Sequence, residues 1–199
     1  MIEIILTVIV IAIIFFVIAF SFKGDEMRAL FSGKQKDMPQ EKAASKPMLA
    51  AKNFAAMQQY KIVAPIHIAM NGKFADDDFA IVGAFGVLCV RCIGLGGEIY
   101  AGDGDWLQVM NEQRKEFKNP IEACAADTRA VREALFASKL KSIPVETVCV
   151  FTNPKAQLAV PRNAGHYTTK TFKKLLAKEK YLADKKVDIE KVAEAIKAQ

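Results

Sequence analysis

Residues Asp76 to Tyr100 read DDDFAIVGAFGVLCVRCIGLGGEIY. Two apolar runs, Phe79 to Val82 and Val87 to Ile93, flank Gly83-Ala84-Phe85-Gly86, and a second glycine-rich turn, Gly94-Leu95-Gly96-Gly97, leads into Glu98-Ile99-Tyr100. Short apolar runs punctuated by glycine predict strand, tight turn, strand, turn and the start of a third strand. Runs without alternation are strands buried on both faces, so this hairpin is expected at the centre of a sheet with long elements packed against it. The three carboxylates Asp76, Asp77 and Asp78 stand at its entrance, and any chemistry is expected there.

The flanking sequence supplies the covering elements. Pro47 to Gln59 begins with a proline suited to a first helical turn and is rich in Ala, Met and Gln, which predicts a packing helix. Asn71-Gly72 is a hairpin-type turn after the loosely alternating Tyr60 to Ala69. Trp106 to Met110 reads as a short strand, followed by a polar reversal. Asn119-Pro120 pairs an N-cap with a first-turn proline, and Ile121, Cys124, Thr128, Val131 and Leu135 then recur at intervals of three and four. That spacing predicts a helix from Pro120 to about Leu140 with one face on the sheet. Pro144 to Thr152 is β-branched and aromatic, the composition of a buried strand, and Ala156 to Val160 is a candidate for another. The expected fold is α/β, a mixed and mostly antiparallel central sheet flanked by helices.

Residues Ile4 to Phe22 are almost unbroken apolar sequence, long enough for roughly 28 Å of helix, close to the hydrocarbon thickness of a bilayer. They are read as a single N-terminal transmembrane helix. A cleaved signal peptide is the competing reading, because Ala19-Phe20-Ser21 has small-x-small spacing, but the run lacks a basic n-region and exceeds the usual apolar core. Lys23, Arg28, Lys34 and Lys36 follow the span and no Lys or Arg precedes it, so the C-terminal side is expected in the cytoplasm. Cys89, Cys92, Cys124 and Cys149 are then expected as reduced thiols. The expected organisation is a membrane anchor at 1–22, a juxtamembrane linker at 23–46, an α/β domain at 47–168 and a helical tail at 169–199, its second helix capped by Asp188.

The chain has 199 residues and a formal net charge of +6. The excess lies in the flanks, six basic against four acidic residues from Lys23 to Lys46 and nine against five from Thr169 to Gln199. A dedicated nucleic-acid binder concentrates basic residues on its folded core, so this distribution points first to anionic lipid beside the span.

Several local patterns carry less than their form suggests. Cys89-x-x-Cys92 lies on a strand, where residues three apart face opposite sides and cannot grip one ion. Gly94 to Gly97 precedes a strand rather than the helix N-terminus a dinucleotide phosphate needs. Asp103 and Asp105 offer two of the six or more oxygens that calcium takes. His67 and His166 have no neighbour at ligand spacing.

The order Asp78 to Ile93, Gly97-Glu-Ile-Tyr100, Trp106-Leu-Gln108, Phe117-Lys-Asn-Pro-Ile121 and Val148-Cys-Val-Phe-Thr152 resembles the nuclease-related domain family, over roughly Met48 to Val160. The resemblance implies a restriction-endonuclease-like PD-(D/E)xK fold, in which a strand Asp and a Glu-x-Lys pair hold Mg²⁺ and activate water for phosphodiester cleavage. On this chain Asp78 matches the Asp, Arg91 stands at the Glu position and Ile93 at the Lys position. The site is therefore expected to be degenerate, with an Asp78–Arg91 ion pair in place of metal, no cofactor, and a binding or scaffolding role toward nucleic acid or protein. The alternative is an active nuclease that has recruited Mg²⁺ ligands from Asp76, Asp77 or Glu98.

Overall fold

The computed structural model describes residues 35–161 and 164–198. Residues 36–199 form one compact unit, the α/β domain. The apolar run 4–22 lies outside the described residues, and among those described no helix is long and apolar enough to cross a membrane.

The domain opens with helix α1 (Gln40–Gln58) and strands β1 (Lys61–Val63), β2 (Ile66–Met70) and β3 (Lys73–Asp77). The predicted central hairpin follows as β4 (Phe79–Gly83) and β5 (Gly86–Ile93), then β6 (Gly97–Tyr100), β7 (Trp106–Met110) and β8 (Gln113–Phe117). Helix α2 (Pro120–Ala137), β9 (Val145–Phe151), β10 (Ala156–Ala159), β11 (His166–Thr168), α3 (Thr169–Leu176) and α4 (Ile189–Lys197) complete it. The main sheet has the order β1-β4-β5-β9-β11, beside a smaller sheet β10-β6-β7-β8 and the ribbon β2-β3.

Side-chain alternation along the hairpin divides the core into two layers. Ala80, Val82, Val87 and Cys89 face α2 and α4 on one side, meeting Ala130, Val131, Ala134, Val192 and Ile196. Phe79, Ile81, Leu88, Val90 and Cys92 face α1 and α3 on the other, meeting Ala51, Phe54, Phe172 and Leu175. The apolar runs of β4 and β5 are thus buried on both faces because helices cover both. Cys89 and Cys92 fall in opposite layers, as the strand geometry of their spacing requires. A third cluster joins the small sheet to the large one, with Trp106 stacked on Phe151 at 6.1 Å between ring centroids.

Three expectations are corrected. The central sheet is evenly mixed rather than mostly antiparallel: β1-β4 and β4-β5 are antiparallel, β5-β9 and β9-β11 parallel. Helix α2 carries the chain back across the sheet, so β9 enters in the direction of β5. The first helix begins at Gln40, not Pro47, which takes 40–46 out of the linker; Pro47 is buried inside α1. A proline there forfeits only the bond its missing N–H would make to the Ala43 carbonyl, and the turn before it is held by Ala43 N–H donating to the Pro39 carbonyl at 2.9 Å. The segment from Thr169 is no separate tail either. Phe172, Leu175 and Leu176 fill one core layer, while Val192, Ala193 and Ile196 fill the other, behind the expected Asp188 cap.

Candidate functional site

Asp76, Asp77 and Asp78 straddle the join between β3 and β4, and their side chains separate into three environments. Asp76 points outward to His67, 2.7 Å from Nδ1, both exposed. Asp77 turns inward toward α2 and is 2% exposed. Asp78 sits at the bend between the strands, where its carboxylate accepts from the Cys92 backbone N–H at 2.6 Å and from the Gln40 side-chain amide at 2.8 and 3.0 Å. Sending neighbouring carboxylates in different directions relieves the repulsion that their adjacency creates.

Gln40 reaches Asp78 because the segment before α1 is tied to the end of β5. Met38 N–H donates to the Gly94 carbonyl at 2.7 Å, and a Cβ on Gly94 would stand 2.5 Å from the Met38 carbonyl oxygen. Only glycine permits that approach. Asp37 on the same segment accepts from the Gly96 N–H at 3.0 Å and the Gln108 amide at 2.7 Å.

Arg91 lies on the α2 side of β5, in the alternation set by Val87 and Cys89. Its Nε and Nη2 donate to Asp127 Oδ2 at 3.1 and 2.8 Å, and Nε stands 3.6 Å from Asp77 Oδ1. The expected Asp78–Arg91 pair is therefore replaced by a cluster of Arg91 with Asp127 and Asp77. Strand alternation does not carry through the bend at Asp78, so its carboxylate follows the strand edge instead of the α2 face. Asp127 is 4% exposed on α2, one turn after Cys124 on the sheet-facing stripe.

The electrostatics of this cluster are unbalanced. Two carboxylates share one guanidinium, and among the described residues neither oxygen of Asp77 has a hydrogen-bond donor. Burial first, and then Asp127, push the Asp77 carboxyl up to about 8, against the opposing pull of Arg91. The protonated acid balances the cluster: one guanidinium, one carboxylate, one neutral carboxyl. Burial works against the Arg91 charge, but Asp127 and Asp77 outweigh it and hold its pKa above the usual value.

A cavity of about 670 Å³ opens here, lined by Gln40, Asp76, Asp77, Asp78, Arg91 and Ile93 among others. Ile93, at the position where the resemblance calls for lysine, also packs on the cluster around Trp106 and Phe151. Glu98 is not in the cavity; its carboxylate accepts from the Tyr100 hydroxyl on the small sheet. The acids named as relocated ligands, Asp76, Asp77 and Glu98, thus face His67, Arg91 and Tyr100 respectively. A divalent ion needs several oxygens converging on one empty point. Here a guanidinium lies against two of the carboxylates and amide donors occupy the third, and among the described residues no group of three His, Cys, Asp or Glu is placed to hold a metal. The residues present do not fit Mg²⁺.

Two members of the site were not anticipated. Asp127 had a usable signal, an acid on the buried stripe of an amphipathic helix, where charge demands a partner. Gln40 lies seven residues before the helix start that Pro47 predicts, so its spacing from Asp78 carries no signal. His166 packs edge-on against Phe151, away from the cavity.

A family model described as the nuclease-related domain matches residues 36–152. The match runs from the segment that carries Asp37 to the end of β9, so it takes in Asp78, Arg91 and Asp127 together. Neither curated proteins nor solved structures yield a match.

Proposed function

The chain belongs to the nuclease-related domain family, and we propose that it is a catalytically degenerate member, anchored in the membrane by residues 4–22 and acting as a cytoplasmic binding or scaffolding module for nucleic acid or protein. The observation that carries this reading is the guanidinium of Arg91 bound to Asp127 and lying beside Asp77. A nuclease site of this kind uses clustered carboxylates to concentrate positive charge from solution. Here the chain supplies the positive charge covalently, and the remaining acid, Asp78, is saturated by the Gln40 amide and the Cys92 N–H. The apolar span and the basic residues after it support the membrane placement.

The test is incubation of the purified full chain, in detergent, with single- and double-stranded DNA and RNA and Mg²⁺ or Mn²⁺. No cleavage above the buffer control is expected. Metal-dependent cleavage that disappears in Asp78→Ala would overturn the reading. Resistance of the chain to extraction from membranes at alkaline pH, with the C-terminal domain open to protease only from the cytoplasmic side, tests the anchor separately.

A further inference from the structure

Away from the carboxylates, α1 and α3 leave a groove of about 920 Å³ between them. One face of α1 enters the core through Ala51, Phe54 and Ala55. Its other face carries Leu49 and Met57, 61% and 73% exposed, and Leu182 beyond α3 adds a third uncovered apolar side chain at 46%. These three line the groove with Lys46, Lys170 and Lys173, and among the described residues no acid lines it. A neighbouring cavity of about 460 Å³ shares Lys46, Thr169 and Lys170 with it and has Thr152, Asn153 and Thr168 in its wall beside Phe151 and Leu158. The groove thus sets exposed aliphatic side chains beside three lysines, and the neighbouring cavity adds hydroxyl and amide groups.

We propose that this groove docks the domain on an anionic phospholipid surface, with Leu49, Met57 and Leu182 against the acyl boundary and Lys46, Lys170 and Lys173 on the lipid phosphates. The inference rests on the membrane placement proposed above and adds to it the face that meets the lipid. Apolar side chains ringed by lysine are the pattern of an interfacial element, which buries one face a short way into the headgroup region. A strand of nucleic acid would match the lysines but not the anchors, since bases stack on aromatic side chains and these three are aliphatic. The chain length also permits it. Seventeen residues separate Phe22 from Gln40, which allows at most about 60 Å between the span and the start of α1.

The experiment uses the full chain with Met57→Cys, labelled with an environment-sensitive fluorophore. The four native cysteines are buried, so the label reports the groove. In nanodiscs containing phosphatidylglycerol the probe is expected to shift to an apolar emission that is absent in phosphatidylcholine discs and reversed by high salt. Lys46→Gln, Lys170→Gln and Lys173→Gln together are expected to lower the docked-to-free ratio on the order of a hundredfold, at roughly a fivefold factor per lysine. No shift in phosphatidylglycerol, or an equal shift in both lipids, overturns the proposal. So does a shift that tracks protein concentration, the mark of a second copy in the groove, or one produced by added RNA without lipid. Incorporation into phosphatidylcholine discs reports the span alone. A chain that stays out of discs yet shows the shift on phosphatidylglycerol vesicles loses the anchor and keeps the groove.

Discussion

The pocket beside Asp78 and the groove between α1 and α3 lie on one domain and differ in what they leave unmet. In the pocket the chain answers its own charges: Arg91 meets Asp127, Gln40 and the Cys92 amide meet Asp78, and Gln108 and the Gly96 amide meet Asp37. In the groove Leu49, Met57 and Leu182 stay uncovered, beside three lysines and, among the described residues, no acid. Apart from the Asp77 oxygens the pocket's polar groups are met from within the chain, whereas uncovered apolar surface beside charge is where an association still gains. On the proposed reading, the family's architecture persists while the pocket's charges are met internally, and the surface that meets a partner is the groove.

The largest effect that sharpens this contrast comes from removing the internal cation. Arg91→Met leaves the buried Asp127 carboxylate without its counter-charge beside Asp77, and a loss of about 3–5 kcal/mol in unfolding free energy is expected from urea titration of the full chain in detergent. Adding Asp77→Asn and Asp127→Asn to Arg91→Met is expected to restore most of it. A neutral Arg91→Met would mean that the pocket does not balance its own charge.

The same imbalance gives stability a pH dependence. Asp77 is raised from 3.8 to about 8 in the folded state, so between those values the folded chain keeps a proton that the unfolded chain has released. Folding is then linked to proton uptake, and stability falls as pH rises from about 4 to about 8 before levelling off. Asp77→Asn is expected to flatten that slope and to leave the protein at least as stable at neutral pH. Urea midpoints measured across the window for both chains check this; parallel curves would show that Asp77 does not titrate there. Smaller again is Asp78→Ala, which strands the Cys92 N–H and is expected to cost about 1–3 kcal/mol.

Why the sequence reveals one of these regions and not the other follows from the range of the interactions. The β4-β5 hairpin, the Asn119 cap and the sheet-facing stripe of α2 are set by neighbours within a few residues, and glycine spacing and helical periodicity expose them directly. The partner of Arg91 lies 36 residues away on a helix whose rotation over the sheet is fixed by packing alone, so no spacing rule selects Asp127 over Asp78. The bend at Asp78 interrupts alternation at the one residue where the pairing depended on it. Pro47 resembled a helix start because proline usually is one, and that reading concealed both Gln40 and the upper part of the groove's helix. The groove itself needs α3 beside α1, a contact between elements more than a hundred residues apart.

The smallest expected effect on stability is the one that separates the two regions most cleanly. Leu49→Ser with Met57→Ser removes apolar surface that is already in water, so the folded domain loses almost no burial and the change should stay within about 0.5 kcal/mol. Phe54 lies on the same helix between them but is 7% exposed and packed among Ala51, Phe79 and Leu88, so its truncation must destabilise where theirs does not. If the serine pair instead lowered the urea midpoint as Phe54→Ala does, Leu49 and Met57 would belong to the core and the groove would be a packing seam. If it leaves the midpoint alone and abolishes the lipid-dependent signal from a probe placed at Leu182→Cys, the exposed stripe of α1 is held ready for a surface outside the chain.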